Sequence, residues 1–177
     1  MTDFMELALR RQSCRGFSDR AVEHEKLEQI IEAAHLAPSA CNSQPWSFAV
    51  AESPEAVAQI AEAGQHMGIN GFLATAKAFV VVFEEHAVLM QGLRKMLDSQ
   101  YFARGDVGAA AVTVCYAAAD LGLGSCIIGL YDREKITAAL DLPSDKRFGA
   151  LIAIGYPADE TIRKKSRKNT ADIVKFV

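Results

Sequence analysis

The residues best suited to chemistry form a cluster of cations near the start of the chain. Arg10, Arg11 and Arg15 lie within six residues, and Ser13 stands between them. No acid occurs within three residues of the cluster on either side, so the guanidinium groups cannot all be neutralised locally. Guanidinium and hydroxyl groups suit phosphate oxygens. The cluster therefore indicates an anion site, and the alternative is a solvated basic helix end whose cations complement the macrodipole.

A second concentration of cations lies at the other end of the chain. The segment 161–177 holds six of the 19 basic residues against one acid, Asp172. The six are Arg163, Lys164, Lys165, Arg167, Lys168 and Lys175. A solvated tail and a weak nucleic-acid patch are the alternatives, although no aromatic stacking surface accompanies the run. The net charge of the whole chain, −3, gives no basic field that would attract nucleic acid or a membrane surface.

A third candidate is the loop at residues 38–46, whose sequence is PSACNSQPW. Its two prolines stiffen the chain, and its serines and side-chain amides supply hydrogen-bond donors and acceptors. Such a loop suits the edge of a planar heterocycle. The alternative is a rigid connection between two elements.

Motifs for other kinds of chemistry are missing from the sequence. There is no H-E-x-x-H and no G-x-S-x-G. In LGLGSC the spacing puts Ile127 where a dinucleotide turn needs its last glycine, so a Rossmann domain is not predicted. Cysteines 14, 41, 115 and 126 form no C-x-x-C pair and are predicted to be reduced thiols. Histidines 24, 35, 66 and 86 lack metal-ligand spacing and are assigned structural or surface roles.

Apolar spacing and capping residues predict the elements that position these candidates. Helices are expected from Thr2 or Asp3 to near Arg11, from about Glu23 until Pro38 stops the helix, from a Ser53 cap to Gly64, along the apolar stripe of 84–104, from Asp106 through the most apolar stretch, and after an Asp132 cap. The helix after Asp106 is predicted to be a buried central helix and a candidate subunit interface. Strands are expected at 46–50, 78–83, 125–130 and 147–157.

These elements predict one α+β domain over residues 1–177, with a mostly antiparallel sheet of four or five strands flanked by helices. The N-terminus has no continuous apolar core of a signal peptide, so a cytoplasmic protein is expected. No stretch reaches the ~20 apolar residues that a membrane span needs, so no membrane is expected as a partner. The net charge and the lack of an aromatic stacking surface mean that nucleic acid is not expected either.

Taken in order, the motifs resemble those of the nitroreductase-like FMN-dependent oxidoreductases. RRQSCRGF followed by APSACNSQPW is similar to the paired N-terminal signatures of that family. Asp106-Val107-Gly108 with LGLGSCIIG resembles its central helix and following strand, and IAIGYP resembles its last core strand. Lys165-Ser166-Arg167 resembles its C-terminal basic motif. The resemblance covers nearly the whole chain and implies FMN as the cofactor.

The resemblance also implies which residues bind the flavin. Arg11, Gln12, Ser13 and Arg15 would contact it, the arginines at the phosphate or at the N1/O2 edge, and Lys165 and Arg167 would close on the same phosphate. Arg15 is the candidate for tuning the flavin, since a cation near N1/O2 stabilises its reduced anion. The lining loop would be supplied by the partner subunit through Pro38, Ser39, Ala40 and Asn42.

Further residues would contact the flavin ring. Asn70 resembles an asparagine that bonds the pyrimidine edge. The segment from Gly124 to Gly129, including Ile127 and Ile128, would run beside the isoalloxazine, where one backbone N–H bonds N5. No protein nucleophile is expected, because in this chemistry the cofactor performs the hard step.

The implied activity is ping-pong hydride transfer from NADH or NADPH through FMN to nitroaromatics, quinones or similar electron-poor acceptors. The implied assembly is an intertwined homodimer in which the tail from about residue 161 reaches the partner subunit. Two alternatives stay open: a flavin-destructase or dehalogenase-type branch, and a non-enzymatic flavin carrier or redox sensor using Cys14 or Cys41. The chain is short for the family, and the region between Phe83 and Asp106 leaves little room for a substrate-covering excursion. The sequence therefore specifies neither the acceptor nor the nicotinamide preference.

Overall fold

A computed structural model describes residues 4–65 and 68–177. The cap predicted at Thr2 or Asp3 and the role assigned to His66 lie outside the described residues. The helices in the described part are α1 (Phe4–Arg10), α2 (His24–His35), α3 (Pro54–Gly64), α4 (Gln91–Arg94), α5 (Ala103–Asp120) and α6 (Arg133–Ala139). The strands are β1 (Trp46–Ala51), β2 (Ala78–Glu84), β3 (Gly124–Ile128) and β4 (Arg147–Gly155). Short 3-10 helices occur at Ala40–Asn42, Gly71–Thr75 and Thr170–Asp172.

The four strands form a single antiparallel sheet in the order β1-β2-β4-β3. This confirms the predicted antiparallel sheet flanked by helices. Every residue of β2 is buried, as its continuous run of apolar residues predicted. A register shift between β2 and β4 follows Val82, and Gly149 of β4 has no partner there. A Cβ on Gly149 would lie 2.3 Å from Cγ1 of Val107, so only glycine fits under α5 at this point.

Helices cover both faces of the sheet because side chains alternate along each strand. Val80 and Val82 of β2 face the layer of α2 and α5, whereas Phe79, Val81 and Phe83 face the layer of α3 and α6. Small buried residues let α5 lie close to the sheet, which confirms the predicted buried central helix, although it starts three residues before Asp106. No helix within the described ranges has the length and apolar character to cross a membrane.

Two predicted helix caps are confirmed in the structure. The Ser53 hydroxyl accepts a hydrogen bond from the backbone N–H of Ala56 at 3.3 Å, and Pro54 occupies the first helical position of α3. The Asp132 carboxylate accepts from the N–H of Lys135 at 3.1 Å. Both helices therefore begin where the sequence placed them.

The predicted helical stripe over residues 84–104 is wrong in most of its length. Only Gln91–Arg94 is α-helical before α5 begins. The Gln100 amide group accepts from the N–H of Ala87 and donates to the Glu85 carbonyl, and the Ser43 hydroxyl accepts from the N–H of Val88. These side chains satisfy main-chain groups that a helix would otherwise have bonded internally.

The first helix ends close to its predicted position, whereas the second ends earlier than predicted. The first ends at Arg10, and none of its residues is buried in the single chain. Phe4 and Leu9 are 63% and 58% exposed, and Phe4 touches Tyr116 of α5 with ring centroids 5.3 Å apart. The second helix ends at His35, three residues before the proline that was expected to stop it.

A cluster of polar side chains fastens the start of α2 to the end of β4. The Tyr156 hydroxyl donates to Glu23 at 2.6 Å and accepts from Lys26 at 2.7 Å, while Lys26 also donates to the Leu121 carbonyl at 3.0 Å. The Arg20 guanidinium donates to the other oxygen of Glu23 at 2.6 Å. The bond from Tyr156, a backbone bond and the bond from Arg20 lower the pKa of Glu23 to about 2. In the folded protein, the Glu23 carboxylate therefore stays ionised at pH values well below its ordinary pKa.

This lowered pKa predicts a loss of stability in acid. The contribution of Glu23 to the free energy of unfolding is complete above its ordinary pKa of 4.5 and is lost as the pH falls toward about 2. Glu23→Gln lacks this contribution at every pH. The difference in unfolding free energy between wild type and variant, measured in urea, should therefore shrink across that window.

A matched control removes an exposed carboxylate from the same helix. Glu32→Gln should leave the pH dependence of unfolding as it is in the wild type, because Glu32 is exposed and forms no ion pair within the described part of the chain. A Glu23→Gln difference that stays constant from pH 5 to about 2 would contradict the assignment.

Candidate functional site

The two basic ends of the chain meet in the structure. The Gln12 side chain donates to the Thr161 carbonyl at 2.9 Å and accepts from the backbone N–H and Nε of Arg163, both at 3.1 Å. Arg163 also donates to the Ser13 carbonyl, and Lys165 donates to the Arg11 carbonyl. The first part of the tail therefore lies against the front segment of its own chain, residues 11–17.

The contacts between the two ends leave a surplus of positive charge. The cation cluster, as we define it, consists of Arg11, Arg163, Lys165 and Arg167. Within the described residues, none of these four forms an ion pair with a carboxylate. Burial lowers the pKa of Lys165, and the charges of Arg11, Arg167 and Arg163 lower it further. The cluster repels itself, and a bound anion would relieve that repulsion.

Arg11 carries a second indication that the cluster is built for a ligand. Its Nε is buried and has no hydrogen-bond partner among the described residues. Its guanidinium lies 5.9 Å from the ring centroid of Tyr116. A buried N–H without a partner is costly. Phosphate oxygens would satisfy such a donor and neutralise the cluster at the same time.

Strand β3 fixes the position of the front segment. Ser13 forms a parallel bridge with Ser125, and the N–H of Cys14 donates to the Ser125 carbonyl at 2.9 Å. A Cβ on Gly124 would lie 2.7 Å from Cβ of Cys14, so glycine at this position allows the two segments to approach. Further along, Phe17 is buried and bridges Pro157. The front segment thus extends the sheet beyond β3 for a short distance.

Beyond Ser125 the edge of β3 is open. Backbone groups of alternate residues point to opposite sides of a strand. Since the Ser125 carbonyl points to the front segment, the N–H and C=O of Ile127 point to the same edge, away from β4. Ile128 is buried, and Gly129 is exposed with no atom within 4 Å of where a Cβ would stand. Of the strand residues predicted to approach the flavin, Ile127 is thus the one whose N–H faces outward.

A cavity of about 370 Å³ lies beside the front segment. Its lining includes Arg11, Gln12 and Cys14 together with the carboxylates of Asp159 and Glu160. It brings together only part of the predicted set: Arg15, Ile127, Lys165 and Arg167 do not line it, and neither does the loop at 38–46. A single described chain therefore does not enclose the whole candidate site.

The loop predicted to line the flavin has an unusual backbone. Cys41, Asn42 and Gln44 all adopt positive φ angles, of 55°, 51° and 47°. The Ser39 hydroxyl accepts from the N–H of Gln44 at 2.9 Å, and Asp106 accepts from the N–H of Ala40 at 3.1 Å. Pro38 and Asn42 are exposed. No hydrogen bond or ion pair between described residues joins this loop to the cation cluster.

Asn70 lies on the α3 side of the sheet, after a turn. Its backbone is left-handed, with φ 61°. Its amide nitrogen donates to the Gly64 carbonyl at 3.2 Å and to the Leu130 carbonyl at 3.5 Å. Asn70 therefore connects the end of α3 with the segment that follows β3. The amide oxygen accepts no hydrogen bond from the described residues and is available to a donor.

Sequence reasoning overlooked Arg163, which makes the most contacts between the two ends. Nothing in the basic run distinguishes it from its neighbours, and only the fold shows that it reaches Gln12 and Ser13. The thiols nearby are not activated. Burial raises the pKa of Cys14, and it raises that of Cys126 against the opposing charge of Arg15. Reactive thiols need a lowered pKa, which is evidence against Cys14 as a redox sensor.

Comparison with known proteins gives a consistent match. The model of the nitroreductase family matches residues 8–65 and 64–156. An Archaeoglobus fulgidus protein provisionally named NADH dehydrogenase/NAD(P)H nitroreductase is 32% identical over 164 residues, covering 90% of this chain and 88% of that protein. An iodotyrosine deiodinase of Haliscomenobacter hydrossis is 28% identical over 173 residues, covering 84% and 77%.

A solved structure matches over the full length. The crystal structure of a provisionally named nitroreductase from Exiguobacterium sibiricum, in complex with FMN, covers 100% of this chain and 98% of its own. The sequence identity is 25% and the TM-score is 0.86. The family model matches the front segment, the loop at 38–46, the sheet and α5 in their observed order. The chain therefore belongs to the nitroreductase family.

Proposed function

We propose that this protein is an FMN-dependent oxidoreductase that uses NADH or NADPH to reduce nitroaromatics, quinones or similar electron-poor acceptors. The observation that carries the proposal is the cation cluster, which two distant segments build and no described carboxylate neutralises. The FMN complex of the Exiguobacterium protein supports FMN as the anion. The names of the relatives, which include an NADPH nitroreductase and an FMN reductase, support the nicotinamide reductant.

The cation cluster would hold the phosphate of FMN. Arg11 offers its unpartnered Nε. Ser13 of the front segment would add a hydroxyl donor in place of its side-chain hydrogen bond with Cys126. Lys165 and Arg167 approach from the tail and would complete the charge complement of a phosphate dianion. Gln12 does not need to touch the ligand, because its amide is occupied by Thr161 and Arg163 and instead keeps the two segments together.

The flavin ring would lie against the open edge of β3. There the outward N–H of Ile127 can donate to N5, and Gly129 leaves room for the ring plane. Arg15 follows the point where the front segment bridges this edge, between Ser13 and Ser125, and its charge opposes the burial that raises the pKa of the Cys126 thiol. A cation in that position favours the reduced anionic flavin. Bound FMN supplies hydride transfer in two half-reactions, first from the nicotinamide and then to the acceptor.

The second half of the site would come from a partner subunit. Among the described residues, Pro38, Ser39, Ala40 and Asn42 form no hydrogen bond or ion pair with the cation cluster of their own chain. The bonds at Ser39 and Ala40 hold the loop in a shape that leaves Asn42 exposed. Large apolar side chains are exposed on α1, on α5 and in the tail: Phe4, Leu9, Val112, Ile173 and Phe176. Large apolar side chains exposed in this number support an interface. The proposal is an intertwined homodimer in which the tail beyond Arg167 reaches the partner.

A second candidate function is reductive dehalogenation. The observation that favours it is the match to an iodotyrosine deiodinase over 84% of this chain. The two functions share the cofactor and differ in the acceptor. In the sequence, residues 84–102 connect β2 with α5 and contain only one short helix, so they would form at most a small cover over the acceptor.

We also propose that the protein works in the cytoplasm, where its four free cysteines would stay reduced.

The first prediction concerns cofactor binding and reduction. The purified protein should show flavin absorption bands, or acquire them when FMN is added, and NADH or NADPH should bleach them within a stopped-flow experiment. Addition of a nitroaromatic or a quinone should restore the bands without a reductant present. Iodotyrosine in place of those acceptors tests the second candidate, which gains support if iodide is released.

The outcomes of this experiment separate the alternatives. Absent flavin bands with no uptake of FMN would refute the central proposal. Bound FMN that NAD(P)H does not bleach would instead indicate a flavin carrier.

The second prediction concerns the phosphate contacts. Arg11→Gln and Arg167→Gln should each weaken FMN binding about tenfold or more, because a hydrogen bond to a charged group contributes about 1.5–3 kcal/mol. Fluorescence titration of the apoprotein with FMN measures this directly. Lys95→Gln removes a cation with no contact to the cluster and should bind FMN like the wild type. If both arginine variants keep normal affinity, the two basic ends do not form one phosphate site.

The third prediction concerns the assembly. Size-exclusion chromatography with light scattering should give twice the chain mass of 19.2 kDa for the FMN-loaded protein. Val112→Glu places a carboxylate on the exposed apolar face of α5 and should yield a monomer with strongly reduced FMN affinity. Thr113→Ser, next to it, should remain a dimer. A monomer that retains full affinity for FMN would show that one chain suffices for the site.

A further inference from the structure

A broad groove lies on the α5 side of the sheet, next to the edge where the ring is placed. It has a volume of about 730 Å³, which is within the range of substrate sites. Ile127 of β3 lines it with half of its side chain exposed. Gly149 forms part of the floor, where a Cβ would also lie 3.1 Å from the Val82 carbonyl. The groove therefore starts at the strand that faces the ring and continues away from it toward the start of α5.

The lining of this groove is rich in cations. It contains Arg104, Arg133, Lys146 and Arg147, against the carboxylates of Glu84 and Asp145. The two cations at the start of β4 are neutralised: Arg147 pairs with Glu84 at 3.1 Å, and Lys146 pairs with Glu85. Asp145 is exposed. The remaining positive charge of the groove thus resides on Arg104 and Arg133.

These two arginines make few contacts with the rest of the described structure. Arg104 is exposed and makes no hydrogen bond or ion pair with another described residue. Arg133 hydrogen-bonds the Tyr131 side chain and lies 6.0 Å from the ring centroid of Phe148, and it too lacks a carboxylate partner in this part of the chain. They belong to different helices, α5 and α6, yet face one groove. Their planar donor sets match phosphate oxygens.

The structure assigns this groove to the phosphate groups of the nicotinamide reductant, with Arg104 and Arg133 as their binding partners. The inference rests on the proposed function, because it takes the flavin ring to lie beside Ile127. The dihydronicotinamide would transfer a hydride, that is, a proton with an electron pair, to the oxidised FMN of the proposed function, which becomes reduced, and the nicotinamide would leave as the oxidised pyridinium. The arginines take no part in that transfer. They bind the part of the same molecule that carries the negative charge.

The test compares reductants with and without phosphate. FMN-loaded Arg104→Gln and Arg133→Gln are mixed in a stopped-flow instrument with NADPH, NADH or 1-benzyl-1,4-dihydronicotinamide, which has no phosphate. Each variant should raise the apparent Kd for a dinucleotide about tenfold, since one charge-assisted contact is lost. The limiting rate of reduction should not change, and the reaction of the benzyl compound should match the wild type. Calorimetric titration with NADP⁺ should show the same loss without any turnover.

Controls separate this inference from the proposed function. Lys135 lies on the same helix as Arg133 but pairs with Glu62 outside the groove. The Lys135→Gln variant should therefore bind both dinucleotides normally. A loss confined to NADPH identifies the 2′-phosphate as the bound group, and an equal loss for NADH identifies the diphosphate. Unchanged dinucleotide affinity in both variants, or an equal loss for the benzyl compound, overturns the inference. A wild-type protein that none of the three reduces would refute the proposed function instead.

Discussion

The structure depends on bringing positive charge from the two ends of the chain into one place without a carboxylate to neutralise it. Such an arrangement opposes folding, as the lowered pKa of Lys165 shows. The contacts that hold it together are of a kind that leaves the charge intact. Backbone carbonyls of Arg11, Ser13 and Thr161 and the amide of Gln12 accept or donate the hydrogen bonds. Neutral partners fix the position of a cation, whereas its charge stays available to a ligand.

The sheet provides the fixed reference for this cluster. Its central strands are buried on both sides by helices, and β3 at the edge has a free side that the front segment covers only as far as Ser125. An uncovered strand edge offers backbone donors in a known direction. The same strand therefore anchors the front segment at one end and presents the Ile127 N–H at the other. Their separation is determined by backbone geometry, which side-chain substitutions change little.

Local features of the sequence were sufficient to predict most elements. The continuous apolar run of β2, the caps at Ser53 and Asp132 and the small residues of α5 act within a few positions, and each was found as expected. The segment 84–104 was predicted wrongly. The side chains of Gln100 and Ser43, which are not part of its apolar stripe, accept hydrogen bonds from its main chain. Amphipathic spacing does not register such bonds. The position of β3 relative to the front segment likewise depends on the whole sheet.

For the candidate site too, local features could be predicted from the sequence and long-range contacts could not. Spacing alone gave a surplus of cations at each end, and only the resemblance to a family joined the ends. Arg163 was not predicted as a site residue, because its contacts with Gln12 and Ser13 span about 150 residues of chain. Ile127 could be placed near the ring by resemblance, but the direction of its N–H required the pairing of Ser125 with Cys14. Long-range contacts of this kind leave no periodic signal in a sequence.

The loop at 38–46 has a backbone conformation that costs free energy in the folded protein. Three residues with side chains, Cys41, Asn42 and Gln44, adopt left-handed backbone conformations, each at a cost of about 1–2 kcal/mol, with asparagine the least affected. The hydrogen bonds that the backbone N–H groups of Gln44 and Ala40 donate to Ser39 and Asp106 offset part of that cost. A connection between α2 and β1 alone would not require this conformation. Strain of this kind persists at sites of recognition. Among the described residues, the loop has no hydrogen bond or ion pair with the cation cluster of its own chain, which agrees with the proposed contact to a partner subunit.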